Sequence, residues 1–157
     1  SGLVIQVCTK GIAITQKHSN TVHIESQAGE QWHDLVTYCA EQGYSGIENL
    51  ALIPGTVGAA PIQNIGAYGV ELADCFVELT AVNRDTFETH HFTKAECKFG
   101  CRESIFKNEF RNTYVITSVT LSLALSNSPK LTYPALKQYF ENASRALSSS
   151  QCHTPSA

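Results

Sequence analysis

Eighteen residues near the middle of the chain restrict its fold more than any other stretch. Between Pro54 and Glu71 lie four glycines, two prolines and three alanines, with few charges. A flexible linker would be more polar. Small side chains in an apolar loop bring main chain close against something flat or bulky, either a neighbouring part of the core or a bound ligand. The run is not a G-x-G-x-x-G fingerprint, and it lacks the Gly-Lys-Ser/Thr ending of a phosphate-binding P-loop. Any ligand would therefore meet main-chain groups and small apolar side chains, which suits a large planar cofactor with a diphosphate. A tightly packed core loop is the other reading of the same composition.

The flanking segments carry clearer periodicities. Leu3 to Val7 and Ile12 to Thr15 are short β-type runs separated by Lys10-Gly11, and Thr21 to Gln27 alternates apolar with polar. Trp32, Leu35, Val36, Cys39 and Ala40 follow the 3.6-residue period of an amphipathic helix, with Gly43 placed as its C′ glycine. Val77, Leu79 and Ala81 alternate, and Arg84 to Thr86 is a turn into Phe87 to Phe92, so this region reads as a hairpin. Thr93 and Glu96 have capping-box spacing and predict a short helix. Val115, Thr117, Val119, Leu121 and Leu123 give the strongest strand. Pro134 is placed to open a last helix with the stripe Leu136, Tyr139, Phe140, Ala143 and Leu147. The order β-β-β-α-loop-β-β-α-β-α predicts an α+β domain with helices on one side of a largely antiparallel sheet.

Composition excludes several classes. The chain has 157 residues, 43% of them hydrophobic, which is about one domain with ample core. Lys plus Arg number 11 against 14 Asp plus Glu, for a net charge of −3, and no basic run exists, so a nucleic-acid binder is not expected. No apolar stretch reaches the roughly 18 to 20 residues of a membrane span, and no secretory signal is visible. Cys8, Cys39, Cys75, Cys97, Cys101 and Cys152 lie mostly in apolar-patterned segments and read as reduced thiols. Cys97, Cys101 and His90-His91 invite a zinc site, but structural zinc wants a second ligand pair and none is present. Small buried cysteines and solvated histidines, with no metal, are expected instead. The absence of Met, the start at Ser1 inside a strand-like run and the polar end from Ser148 to Ala157 read as a piece of something longer.

Arg102 is the charged residue that most needs explaining, because Phe99, Gly100, Ile105 and Phe106 surround it in sequence. A buried cation requires a partner. The candidates are a structural carboxylate, Glu103 or Glu48, or a substrate anion gripped by the planar guanidinium. No Ser/His/Asp order and no carboxylate pair stands out.

The segment Glu48 to Glu71, with Pro61-Ile62-Gln63-Asn64-Ile65-Gly66-Ala67-Tyr68-Gly69 at its heart, strongly resembles the flavin-loop signature of the UDP-N-acetylenolpyruvoylglucosamine reductase family. Members of that family are also called UDP-N-acetylmuramate dehydrogenases. Ala95 to Lys107 resembles the family's second signature, and Leu131-Thr132-Tyr133 its entry into the substrate domain. The likeness runs from about Leu3 to about Tyr133.

What the resemblance implies is an α+β second subdomain of an FAD-binding fold of the vanillyl-alcohol-oxidase/PCMH type over residues 1–126. Residues 127–157 would start the substrate domain and end in a polar tail. The implied activity is that of a cytoplasmic flavoprotein oxidoreductase of peptidoglycan synthesis, and so of cell-wall biogenesis, cell shape and division. It would hold FAD, take NADPH as reductant and reduce UDP-N-acetylglucosamine enolpyruvate to UDP-N-acetylmuramate. Carried over residue by residue, Arg102 would be catalytic, holding the substrate carboxylate and stabilising the charge that develops after hydride addition. Ile53, Pro54, Gly55, Gly58, Ala59, Ala60, Ile62, Ile65 and Gly66 would line the FAD. Tyr133 and Tyr68 would approach the UDP-sugar.

The sequence departs from the family pattern in three respects. Cys101 stands where related sequences often have Tyr. The family's first FAD subdomain, with its diphosphate loop, would precede Leu3. Its proton-donating serine and late glutamate would follow Tyr133, and nothing from Ser144 to Ala157 matches them. The expectation is therefore that this chain alone has no turnover and weak FAD affinity, and that surfaces bared by truncation favour self-association. Two other readings stay open: a non-catalytic flavin- or nucleotide-binding remnant, and a member of the wider FAD-binding fold with another substrate.

Overall fold

Residues 4–125, with the isolated positions Pro134 and Gln138, are described by a computed structural model. In chain order they form β1 (Ile12–Lys17), β2 (Thr21–Gln27), helix α1 (Trp32–Glu41), a 3₁₀ turn at Glu48–Leu50 and a 3₁₀ segment at Val57–Gln63. A small hairpin of β3 (Gly66–Ala67) and β4 (Val70–Glu71) follows, then the one-turn helix α2 (Leu72–Cys75), β5 (Phe76–Asn83), β6 (Thr89–Thr93) and β7 (Tyr114–Ala124).

Five strands make one antiparallel sheet in the order β1-β2-β7-β5-β6. This is the α+β, largely antiparallel class that the sequence pattern predicts. In β2 the alternation is kept without a slip: Val22, Ile24 and Ser26 are buried, and they pair across the sheet with Leu123, Leu121 and Val119 of β7. Stacking these pairs on one face fixes the register, because a slip of one residue would turn the apolar set to solvent.

The strand β7 departs from its sequence period at one point. Thr80 pairs with Ser118 but Ala81 pairs with Ile116, so Thr117 is an extra residue in the ladder. The bulge puts Ile116 into the core, whereas Val115 and Thr117 are only half-buried. Its carbonyl is not lost, since Ala28 N–H donates to Thr117 O at 2.9 Å.

Helix α1 buries Trp32, Leu35, Val36 and Cys39, while Ala40 at the edge of the expected stripe is exposed. Gly43, at φ +74°, ends it as predicted. Gly43 N–H donates to Ala40 O at 3.0 Å and Tyr44 N–H to Cys39 O at 2.8 Å, the paired bonds of a Schellman motif.

Two expected elements are absent from the described residues. The run Val4 to Val7 forms no strand: Val4 and Ile5 are 90% and 63% exposed, and the chain just after it is held by Glu30, which accepts from Gly11 N–H (2.8 Å) and from Lys10 Nζ (3.1 Å). Cys8 and Thr9 pass so close over Gly29 that a Cβ there would sit 2.6 Å from the Thr9 main chain. After Thr93 no helix forms either. Glu96 does fold back to accept from Thr93 N–H (2.8 Å) and Oγ1 (2.7 Å), but the chain completes one turn and then leaves it at Lys98, whose φ is +47°. The capping contact is local, whereas the next turn would have to break the burial of Cys97.

Pro134 and Gln138 have helical backbone. Tyr133 and the stripe Leu136, Tyr139, Phe140, Ala143 and Leu147 lie outside the described residues, as does Cys152.

Candidate functional site

The first part of the small-residue loop is stitched to the fold by three main-chain hydrogen bonds. Trp32 N–H donates to Gly55 O (3.0 Å), Val57 N–H to Glu30 O (2.9 Å) and Gly58 N–H to Ala28 O (2.9 Å). Gly58 has a packing reason to be glycine, since a Cβ there would lie 2.6 Å from the Ala28 Cβ. Gly55 has a conformational one: its φ is +116°, and nothing lies within 4 Å of where a Cβ would be.

The other side of the loop is open. Ile53, Pro54, Ala59, Ala60 and Ile65, with Trp32, Thr56 and Gln63, line a shallow cleft of about 40 Å³ without a charged residue. The amides of Ile53, Gly55 and Thr56 have no acceptor among the described residues, whereas those of Val57 and Gly58 are committed to the fold. The cleft is too small to enclose a planar cofactor, so one held here would lie against the charge-free surface of the loop. The loop is therefore not sealed into the core.

Arg102 stands at the end of the same loop. Gly100 and Glu103 exchange main-chain hydrogen bonds of 3.0 and 3.2 Å, leaving Cys101 and Arg102 at the tip of a tight turn with Arg102 at φ +57°. Its guanidinium Nη2 donates to the carbonyl oxygen of Gly66 in β3. The β3–β4 hairpin opposite turns on Tyr68 and Gly69, both at positive φ (50° and 77°), as a type I′ turn requires. Between the two turns lies a concavity of about 490 Å³, which Tyr68, Glu71, Asp74 and Cys101 also line.

The carboxylate partners expected for a buried Arg102 are both engaged elsewhere. Glu103 accepts from Asn108 Nδ2 (2.7 Å) and Lys107 Nζ (3.1 Å), bonds that hold its carboxyl below the usual range. Glu48 accepts from Gly46 N–H at 2.7 Å. Arg102 is exposed, not buried, and forms no ion pair among the described residues. The apolar neighbours turn away from it: Ile105 and Phe106 enter the core. What remains is a cation fixed to main chain at the mouth of a cavity, with donors to spare.

Two residues absent from the sequence-derived site hold this arrangement. Asn64 is completely buried at φ +42°; its Nδ2 donates to Glu71 Oε2 (2.8 Å) and Gly100 O (3.0 Å), and its Oδ1 accepts from Ala73 N–H (2.9 Å). Ser104, also buried, donates from Oγ to Ile62 O at 2.7 Å. For Asn64 the available signal is a polar residue in a charge-poor loop: if such a group is buried, it must be saturated.

Other expected site residues are dispersed. Gly66 is buried and serves through its carbonyl. Ile62 faces away, into a separate concavity of about 720 Å³ beside Arg84, Phe110 and Arg111. Cys101 is exposed beside Arg102, while Cys39, Cys75 and Cys97 are buried. Burial pushes the Cys39 and Cys97 thiols up to about 12, with Glu48 and Glu96 adding to the effect. No three His, Cys, Asp or Glu side chains among the described residues are grouped to hold a metal ion.

Residues 1–90 match the family described as "FAD binding domain". The UDP-N-acetylenolpyruvoylglucosamine reductase of Flavobacterium johnsoniae is 51% identical over 125 residues, which is 80% of this chain and 37% of that protein. That of Shewanella sediminis is 50% identical over 143 residues, 90% of this chain and 40% of the relative. The crystal structure of the reductase from Thermus caldophilus superposes with a TM-score of 0.55 at 26% identity, over 82% of this chain and 43% of that one. The chain thus spans about two fifths of the length of the curated relatives it matches.

Proposed function

This chain belongs to the FAD binding domain family, and from that membership we propose that it is part of an NADPH-dependent reductase of UDP-N-acetylglucosamine enolpyruvate, producing UDP-N-acetylmuramate for peptidoglycan synthesis. Residues 1–126 are assigned to the FAD-binding domain as its second subdomain, and residues 127–157 to the start of the substrate domain. The cytoplasm, where a nucleotide sugar and NADPH meet, is the compartment that goes with this reading. Among the described residues no helix is long and apolar enough to cross a membrane.

One observation carries the proposal: an exposed guanidinium, with no carboxylate partner among the described residues, is anchored at the end of an apolar loop that bears an uncharged cleft. When bound, FAD supplies the hydride chemistry. Ile53, Pro54, Gly55, Ala59, Ala60 and Ile65 are positioned to hold it, by contact with small apolar side chains and by the amides of Ile53, Gly55 and Thr56. Gly58, Ile62 and Gly66, also expected at the cofactor, serve the reading less directly: Gly58 shapes the loop from behind, Ile62 anchors the Arg102 turn and Gly66 fixes the guanidinium.

Arg102 then acts on the substrate. Its remaining N–H donors take the carboxylate of the enolpyruvyl group, and its charge opposes the negative charge that grows on that group as the double bond is reduced. A cation already held in place stabilises developing charge without reorganising, which lowers the barrier more than uniform binding does. Tyr68, half-exposed on the facing hairpin, and Tyr133 are assigned to the UDP-sugar. Self-association through the exposed Val4, Ile5 and Ile14 belongs to the same reading.

The test uses the natural polypeptide that carries this sequence. It should purify with flavin absorbance, lose that absorbance under NADPH without oxygen, and regain it when UDP-N-acetylglucosamine enolpyruvate is added. A flavin that NADPH bleaches but the sugar does not restore would overturn the substrate; a colourless protein that takes up no FAD would overturn the cofactor.

A further inference from the structure

We propose that Asn64 and Glu71 together are a positioning device for Arg102, so that one buried amide sets where the catalytic charge stands. The proposal rests on the role assigned to Arg102 above and adds residues to it.

The Arg102 turn is closed by its own main-chain bonds, and its position over the loop is set by what it touches there. It joins the 54–71 loop at three points: Arg102 Nη2 to Gly66 O, Ser104 Oγ to Ile62 O (2.7 Å), and Gly100 O to Asn64 Nδ2 (3.0 Å). Only the last is made by a side chain of that loop; Lys107 Nζ braces the turn from its other side, donating to Arg102 O (2.8 Å). The same Asn64 amide reaches two further elements, Glu71 at the end of β4 and Ala73 in α2. Gly66, the carbonyl that Arg102 grips, is the cross-strand partner of Glu71. The guanidinium, its acceptor and the tip that carries it are thus referred to a single side chain.

Glu71 decides which way that amide faces. Its carboxylate accepts from Asn64 Nδ2 at 2.8 Å and also from the Asp74 N–H in a capping box, while Asp74 Oδ2 accepts from Glu71 N–H at 3.2 Å. A carboxylate accepts only, so the NH₂ end of Asn64 must turn towards Glu71, and its second hydrogen is left for Gly100 O. With its oxygen on Ala73 N–H, the amide has no alternative orientation. The left-handed backbone at Asn64 narrows the residue choice further, since Asn and Asp tolerate that conformation and most others do not.

Asn64→Asp in the flavin-loaded natural polypeptide replaces both donors with an acceptor and sets it against the Glu71 carboxylate. Adding Glu71→Gln lets a side-chain NH₂ donate to the new carboxylate at position 64, which repairs the 64–71 bond but leaves Gly100 O without its donor. The double variant should therefore recover thermal stability and keep normal flavin reduction by NADPH, yet lose about 10²-fold in kcat on the UDP-sugar, the scale of a misplaced reacting group. A merely structural role predicts that turnover returns with stability, and that result overturns the proposal. Should the double variant not fold, Glu71→Gln alone decides: a weaker acceptor for Asn64 should cost about fivefold in kcat with flavin reduction unchanged, and unaltered turnover overturns the proposal. Arg102→Ala run alongside separates the two layers, because retained turnover there refutes the role of Arg102 itself and not the tether alone.

Discussion

The guanidinium of Arg102 and the carbonyl oxygen of Gly66 meet across 36 residues of chain, and Nη2 donates to that oxygen. The contact fixes a positive charge by main chain, not by a carboxylate. A carboxylate would cancel the charge; a carbonyl orients it and leaves it available. Lys107 Nζ, donating to Arg102 O at 2.8 Å, holds the backbone of the same residue.

Replacing Arg102 with Lys keeps a positive charge but exchanges a planar fork for a single point donor. Turnover of the UDP-sugar should fall by about 10²- to 10³-fold, the usual cost of losing a fixed donor at developing charge. Reduction of the flavin by NADPH should not change, and stopped-flow absorbance measures the two halves separately. Equal losses in both halves would place Arg102 at the cofactor instead.

Gly58→Ala forces a Cβ to 2.6 Å from that of Ala28. Overpacking of this kind costs about 1–3 kcal/mol, read as a lower urea midpoint at constant slope. Ala28→Gly in the same chain should recover most of it. If the loss instead shows in FAD affinity and Ala28→Gly does not restore it, Gly58 acts by touching the cofactor.

The buried thiols make stability fall in alkali. Cys39 and Cys97 titrate near 9.0 when unfolded and are pushed up to about 12 in the fold, chiefly by burial. Between those values the folded chain keeps protons that the unfolded chain has released, so this contribution is complete below about pH 9 and drains as pH rises towards 12. The slope is about 1.4 kcal/mol per pH unit for each thiol. Denaturation midpoints at pH 8 and pH 10 should differ, and Cys39→Ala with Cys97→Ala should flatten the difference. At pH 8 a thiol reagent should label Cys8 and Cys101 first among the described cysteines, because both are exposed.

The single tryptophan is buried in the core and also lines the apolar cleft. Its Nε1–H donates to Leu50 O at 2.9 Å, so Trp32→Phe leaves that carbonyl unpaired and should cost about 1–3 kcal/mol. Titration of the apoprotein with FAD should quench Trp32 emission, and Ile53→Asp should weaken that quenching by placing a charge in the cleft. Quenching that Ile53→Asp leaves untouched would move the cofactor away from this loop.

Much of the fold is legible in the sequence. The bounds of β2, the stripe and glycine stop of α1, the β5–β6 hairpin and the unusual composition of the 54–71 loop all follow from interactions within a few residues. The failures have a common cause. Val4 to Val7 looks like a strand, but no strand among the described residues pairs with it; Thr93 to Glu96 looks like a helix start, but burial of Cys97 redirects the chain. Each local preference is worth little against packing of residues distant in sequence.

The functional site divides along the same line. Residue types alone determined that the central loop is small, apolar and nearly uncharged, and that one arginine stands out among apolar neighbours. Which side of that loop is open, that Arg102 is exposed and anchored to Gly66, and that Asn64 joins loop, helix and turn were decided by tertiary structure. The Gly66–Arg102 and Asn64–Gly100 contacts each span 36 residues. Hydrogen-bond partners at such separations leave no period or spacing in a sequence, because they depend on how the sheet brings its connecting turns together.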